Sequence, residues 1–253
     1  FFEDLELPQP DHFLGAGSGS HAEQTARIMV EFEKVVLARR PDLVVVFGDV
    51  NSTVACSLTA RKLLVPVAHV EAGLRSFDET MPEEINRRVT DTLSDLLFTP
   101  SSDGDENLIR EGVPQHKIHR VGNIMIDSLV TILGKIDQDH QDRIVRQFGV
   151  EKGRYVLVTL HRPSNVDERT GLEPILGYLK QLSTQAPVVF PIHPRTRKNI
   201  EALGIDASSV DGLRMVEPVR YREFIVLEKN ARFILTDSGR SEERRVGKEC
   251  TIQ

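Results

Sequence analysis

Short apolar runs recur along this chain, and the stretches between them carry apolar positions at helical spacing. Leu43-Val44-Val45-Val46-Phe47 is continuous and β-branched, the pattern of a strand buried on both faces. Runs at 65–70, 96–99, 118–121, 155–160, 188–192, 213–216 and 233–236 read as further strands. Helical periodicity covers 22–39, 51–64, 82–95, 103–111, a segment from Ile124, 168–184, 196–203 and 222–229. Strands alternating with helices predict an α/β protein with mostly parallel sheets. The polar stretch 135–154, holding Gly149 and Gly153, interrupts the rhythm and is the candidate connection between domains. The pattern therefore predicts two Rossmann-like domains facing each other, residues 1–150 and 151–253.

The helix starts carry capping signals. Ser20 stands before the first helix, and Asn51, Ser52 or Thr53 before the second. Thr80-Met81-Pro82-Glu83 fits a capping box, with Thr80 as N-cap and Glu83 at N3; Glu84 would then serve the helix dipole. The glycine-rich Gly15-Ala16-Gly17-Ser18-Gly19-Ser20 resembles a phosphate loop, but no strand precedes it in the pattern. It reads as the entry to a helix, and a dinucleotide fingerprint is not supported.

Composition narrows the partners. The net charge of −6 argues against a general nucleic-acid surface while leaving room for a local anion pocket. Cys56 and Cys250 form neither a disulfide framework nor a zinc spacing, and Cys56 reads as a small core residue. His116 and His119 read as a surface loop rather than a metal site. No apolar run reaches membrane-spanning length, so no membrane partner and a cytoplasmic location are expected. The opening Phe1-Phe2-Glu3-Asp4-Leu5 reads like the interior of something longer, and 240–253 does not resume the strand–helix rhythm. The chain is expected to be cut at both ends, with its first strand–helix unit missing.

Chemistry-bearing residues gather where strands end. Asp49 follows the first strand, Glu71 and Arg75 the second, Ser101 the third, His161-Arg162 the fifth, His193 the sixth and Asp237-Ser238-Gly239 the last. The run His69-Val70-Glu71-Ala72-Gly73-Leu74-Arg75, with Met81-Pro82-Glu83-Glu84-Ile85-Asn86-Arg87 close behind, places three carboxylates and two arginines past one strand end. Open α/β sheets bind ligands in that crevice, and neighbouring carboxylates perturb each other as acid–base groups must. Taken singly, each has a plainer reading. Asp49 could tie down a turn, Glu71 could be a solvated loop carboxylate, and His161 and His193 could be structural. Their shared location favours a site, and the donors beside helix starts suit a nucleotide pyrophosphate.

Seven motifs in one order resemble the non-hydrolysing UDP-N-acetylglucosamine 2-epimerases. They are Val46-Phe47-Gly48-Asp49, the His69–Arg75 run, Pro82-Glu83-Glu84-Ile85-Asn86-Arg87, Val121-Gly122-Asn123, Leu160-His161-Arg162, Pro191-Ile192-His193-Pro194 and Thr236-Asp237-Ser238-Gly239. The resemblance implies a GT-B-like fold and interconversion of UDP-N-acetylglucosamine and UDP-N-acetylmannosamine, by loss of the C2 proton, expulsion of UDP and re-addition. It implies Asp49, Glu71, Glu83 and His161 as the catalytic set. It implies His193, Phe224, Ser238 and Gly239 around the UDP moiety, with Arg75 and Arg87 near the pyrophosphate or sugar. No metal and no cofactor is implied, and the full-length form is expected to be a homodimer. Arg240 stands where the family has a glycine. A hydrolysing relative, a GT-B glycosyltransferase and a non-catalytic UDP-sugar-binding chain are the competing readings.

Overall fold

The computed structural model describes residues 8–160, 162–204 and 212–237. The chain divides into two units, one of residues 6–124 and one of residues 125–253.

The first unit opens with helix α1 (His21–Arg39), started by Ser20, whose hydroxyl accepts from the Glu23 amide while the Glu23 carboxylate takes the Ser20 amide. Four strands follow, β1 (Val44–Phe47), β2 (Val67–Val70), β3 (Leu96–Thr99) and β4 (Ile118–Arg120), hydrogen-bonded in that order and all parallel. Helices α2 (Asn51–Lys62), α3 (Pro82–Leu93) and α4 (Ser102–Arg110) connect them. Val44, Val46, Val67 and Ala60 of α2 form one core cluster, with Phe32 of α1 and Cys56 packed against it. Leu97, Leu108 and Ala72 form another.

Three sequence expectations change here. Strand β1 is not buried on both faces. Val44 and Val46 are buried, whereas Val45 and Phe47 are 46% and 56% exposed. The reason is its place at the edge of the sheet. Among the described residues it pairs with β2 alone, and the cluster beneath it covers one face. Helix α2 has Val50 as N-cap and no side-chain cap, because Asn51 and Thr53 are used elsewhere. The Thr53 hydroxyl donates back to the Phe47 carbonyl at 2.7 Å. The capping box expected at Thr80 does not form: Met81 is the N-cap of α3 and Pro82 sits at N1. Asp78 captures Thr80 instead, accepting from its amide at 3.0 Å and its hydroxyl at 2.6 Å.

In the second unit, strands β5 (Val156–Thr159), β6 (Val188–Pro191), β7 (Leu213–Val216) and β8 (Phe233–Thr236) form a parallel sheet in the order β7-β6-β5-β8. Both faces are covered. Tyr155, Leu157, Val189 and Ile234 pack on α6 (Gln138–Gln147) and α10 (Tyr221–Asn230) through Ile144, Val145, Val226 and Leu227. Val156, Val158, Val188 and Phe190 pack on α8 (Arg169–Ser183) and α9 (Pro194–Ala202) through Leu172, Leu176, Leu179 and Ile200. The Tyr155 hydroxyl, buried, donates to the Leu227 carbonyl at 2.5 Å. Helix α5 (Ile124–Lys135) leads into this unit, and a short turn of helix, α7 (Pro163–Val166), precedes α8. The stretch 135–154 thus carries α6, whose apolar face belongs to the second core.

Strand order reverses between β5 and β8. At such a reversal the connecting loops part and leave a crevice beyond the carboxyl ends of the strands.

Candidate active site

The carboxyl ends of β1 and β2 lie side by side in the first unit. Phe47 pairs with Val70, and the Gly48 amide donates to the Val70 carbonyl at 3.1 Å. Gly48 turns at φ +65° and Glu71 at φ +71°. A side chain on Gly48 would come within 3.4 Å of Glu71 Oε2, so the glycine leaves room for that carboxylate. Glu71 is a non-glycine residue in the left-handed region, a conformation that costs about 1 kcal/mol or more and persists only when its surroundings enforce it.

Helix α3 presents its polar face to these turns. Arg87 grips Asp49 Oδ2 through Nε at 3.0 Å and Nη2 at 2.6 Å, and its Nη1 reaches Glu84 Oε2 at 2.9 Å. Asn86 donates to the Asp49 carbonyl at 2.9 Å. Asn51 lies within 3.4 Å of the Asn86 amide and donates to Gln24 at 2.8 Å. Glu83 precedes Asn86 and Arg87 by three and four residues, so it shares their face one turn nearer the helix start. It is half-buried, and its side chain makes no hydrogen bond or ion pair among the described residues.

Glu84, rather than Glu83, occupies N3, and it does not simply face the dipole. Its buried carboxylate accepts from the Ser76 amide at 2.9 Å, the Ser76 hydroxyl at 3.0 Å and Arg87. Burial works against its ionisation, but the Ser76 amide and hydroxyl, the Arg87 guanidinium and the Phe77 amide outweigh it. They hold the carboxyl below its usual range.

Arg75 does not join this group. Its side chain is 1% exposed and its donors are taken by both Glu111 oxygens at 2.8 and 2.7 Å, Asp91 Oδ2 at 2.8 Å and the Leu74 carbonyl at 2.7 Å. Burial opposes its charge, and the carboxylates of Glu111 and Asp91 more than offset it, so Arg75 is held firmly protonated. Arg87 is likewise spent on Asp49 and Glu84. Both arginines hold carboxylates in place.

In the second unit a cleft of about 390 Å³ opens at the carboxyl ends of β5, β6 and β7. Thr159, Leu160, Ile192, His193, Arg195 and Phe224 are among its lining residues. His193 is exposed and is the N-cap of α9; its Nδ1 accepts from the Arg195 amide at 3.2 Å, which leaves Nε2 to donate outward. The Arg195 guanidinium is drawn to Asp167 at 2.6 Å, and Asn199 ties Asp167 and the Val166 carbonyl together. Asp237, past β8, accepts from the Arg162 amide at 2.9 Å and from Asn165 at 3.0 Å, so it fixes the loop after β5. His161, Ser238 and Gly239 lie outside the described residues. Among the described residues no group of side chains could hold a metal ion, and no helix is long and apolar enough to cross a membrane.

His69, Asp91, Asn86 and Glu84 are the polar residues whose importance single positions in the sequence did not reveal. The available signal was the helix they frame: α3 buries Glu84, Asn86, Arg87, Thr90 and Asp91 while exposing Ile85 and Val89.

The chain is similar to known proteins throughout these regions. The family profile described as UDP-N-acetylglucosamine 2-epimerase matches residues 1–244. A UDP-N-acetylglucosamine 2-epimerase of Methanocaldococcus jannaschii is 44% identical over 94% of this chain and 66% of its own length. A UDP-2,3-diacetamido-2,3-dideoxy-D-glucuronate 2-epimerase of Pseudomonas aeruginosa is 42% identical over 94% of this chain and 65% of its own length. The chain thus spans a little under two thirds of the length of these curated relatives. Among solved structures, the M. jannaschii UDP-GlcNAc 2-epimerase in complex with UDP-GlcNAc and UDP superposes with a TM-score of 0.79 at 44% identity, over 94% of this chain and 66% of that one. The Neisseria meningitidis UDP-GlcNAc 2-epimerase bound to UDP-GlcNAc superposes with a TM-score of 0.83 at 32% identity, over the same shares. The GT-B-like α/β class expected from the sequence is the class of these neighbours.

Proposed function

The chain belongs to the UDP-N-acetylglucosamine 2-epimerase family, and from that premise we propose that its gene product interconverts UDP-N-acetylglucosamine and UDP-N-acetylmannosamine without releasing free sugar. The observation that carries the reading is the juxtaposition of Asp49 and Glu71 at adjoining strand ends, with Glu83 on the helix face that grips Asp49. The C2 hydrogen of an acetamido sugar is a weak acid. A base must remove it while UDP departs from C1, and a second group must return a proton on the other face. The carboxylates at the neighbouring strand ends and on the helix that grips one of them are the groups to fill that pair of roles. Asp49 gives one oxygen to Arg87, whereas Glu83 has no partner among the described residues and is the carboxylate most available to exchange a proton. The cleft beside His193 and Phe224 takes the nucleotide: the exposed Nε2–H of His193 and the amides at the start of α9 suit a pyrophosphate, and Phe224 offers a flat apolar surface to the base. His161, Ser238 and Gly239 complete these two sets, as the family resemblance implies.

The test is incubation of the intact gene product with UDP-N-acetylglucosamine in deuterium oxide, followed by NMR. The expected product is UDP-N-acetylmannosamine carrying deuterium at C2. Free N-acetylmannosamine with UDP would instead establish the hydrolysing reaction. Asp49→Asn, Glu71→Gln and Glu83→Gln should each slow C2 exchange about a hundredfold or more while UDP still binds. Near-wild-type exchange in all three would overturn the assignment.

A second substrate is favoured by one finding. The P. aeruginosa relative is nearly as similar as the M. jannaschii one, 42% against 44%. UDP-2,3-diacetamido-2,3-dideoxy-D-glucuronate belongs in the same assay, and the larger kcat/KM assigns the sugar.

A further inference from the structure

Asp91 lies beneath the two turns that carry Asp49 and Glu71, 2% exposed, and one carboxylate there serves three donors. Oδ1 takes His69 Nδ1 at 2.6 Å; Oδ2 takes the Gly73 amide at 3.1 Å and Arg75 Nη2 at 2.8 Å. The fully buried ring of His69 continues the chain of contacts, with Nε2 lying 2.9 Å from the Gly48 carbonyl. The imidazole thus bridges α3 and the residue immediately before Asp49, one ring nitrogen toward each. The other turn is held by the same hub. The Gly73 amide goes to Asp91, its carbonyl takes Asn107 at 3.0 Å, and the Ala72 amide goes to Phe98 at 3.1 Å. Glu71, in its left-handed conformation, lies between His69 and Gly73, both of which Asp91 binds.

We infer that Asp91 and His69 are positioning residues that set the spacing of the Asp49 and Glu71 carboxylates; the inference rests on the function proposed above for those two. Neither residue touches the reacting atoms. A buried pair that only filled space would not need one hydrogen bond to each of the two turns. Displacing a reactive group by about 1 Å costs on the order of a hundredfold in rate, so the link through His69 is worth that much if it fixes Asp49.

Two substitutions separate the ends of the ring. His69→Asn keeps a donor near the Nδ1 position, toward Asp91, and loses the one toward Gly48. His69→Gln places its donor near the Nε2 position and keeps the Gly48 contact. In the intact gene product His69→Asn should lower kcat about a hundredfold with KM and UDP affinity nearly unchanged, and His69→Gln should restore most of the rate. Hydrogen–deuterium exchange read by mass spectrometry should show faster exchange at residues 46–52 in His69→Asn alone. Asp91→Asn, which keeps the side-chain shape, should speed exchange at residues 70–76 as well. Equal rates and equal exchange in the two His69 variants, or losses that merely follow the melting temperature, would overturn the inference. Wild-type protein that performs no C2 exchange would overturn the function instead, and the amide-exchange comparison would still decide whether the turns are held in this way.

Discussion

Glu84 shows how a buried carboxylate is committed to the fold around it. It is bound by the Ser76 amide and hydroxyl and by Arg87, and Arg87 in turn holds Asp49. Because the folded protein keeps its carboxyl below the ordinary value of 4.5, its contribution to stability is complete above that pH and is lost as the pH falls through the lower folded value. Removing one partner of a buried pair costs about 3 kcal/mol. Glu84→Gln should therefore lower stability by about that amount at pH 7, and the gap to wild type should narrow as the pH is taken below 4.5. Urea melts across that range check it; a gap that does not change with pH would show that the interaction is not ionic. Cys56 behaves differently. Burial alone pushes its thiol up to about 11, so alkylation by iodoacetamide at pH 8 should be far slower than for a free cysteine, measured by mass spectrometry of the peptide that carries Cys56.

Helix α3 is the element where sequence and structure diverge most instructively. Its buried face is polar, Glu84, Asn86, Arg87, Thr90 and Asp91, while Ile85 is 58% and Val89 37% exposed. A reader who places apolar residues inward turns the helix the wrong way. The helix itself was legible, from its periodicity and Pro82, but its orientation was not, because ion pairs and loop amides replace hydrophobic contact there. Asp49 and Glu71 were legible for a different reason: a parallel sheet brings the carboxyl ends of neighbouring strands together, so strand order alone makes them neighbours. The role of Arg75 was not, since its partner Glu111 lies 36 residues away in sequence. The missed α6 has a polar composition that hides three buried positions, Gln141, Ile144 and Val145. Helix α3 also starts without a side-chain cap, at Met81. Met81→Ser should add about 1 kcal/mol, read as a raised melting temperature; no gain would mean that the loop amides around Ser76 already fix the helix start.

At the scale of the molecule, the two sheets are finished differently. The second is covered on both faces, whereas the first leaves Val45 and Phe47 exposed on its edge strand. Exposed apolar edges invite association. Val45→Thr together with Phe47→Thr should reduce light scattering and binding of a hydrophobic dye while changing stability by no more than about 0.5 kcal/mol, as for other surface positions. A large loss of stability would show that this face is covered in solution. The alternation of strands and helices, and the parallel sense of both sheets, were written in the hydrophobic pattern; the reversal of strand order in the second sheet was not, because it depends on which strands meet rather than on any local run. That reversal also sets a timetable. The partner of Leu157 in the β5–β8 pairing is Ile234, about 77 residues later in the chain. A ribosome adding roughly 5–20 residues per second needs about 4–15 s to cover that interval. Throughout it β5 stands ready with one flank unmatched, while β6 and β7 can already join from the other side. The nascent second sheet therefore waits for β8 to emerge, and a pause in translation just before Phe233 would prolong the time in which a chaperone, or another nascent chain, could occupy the vacancy first.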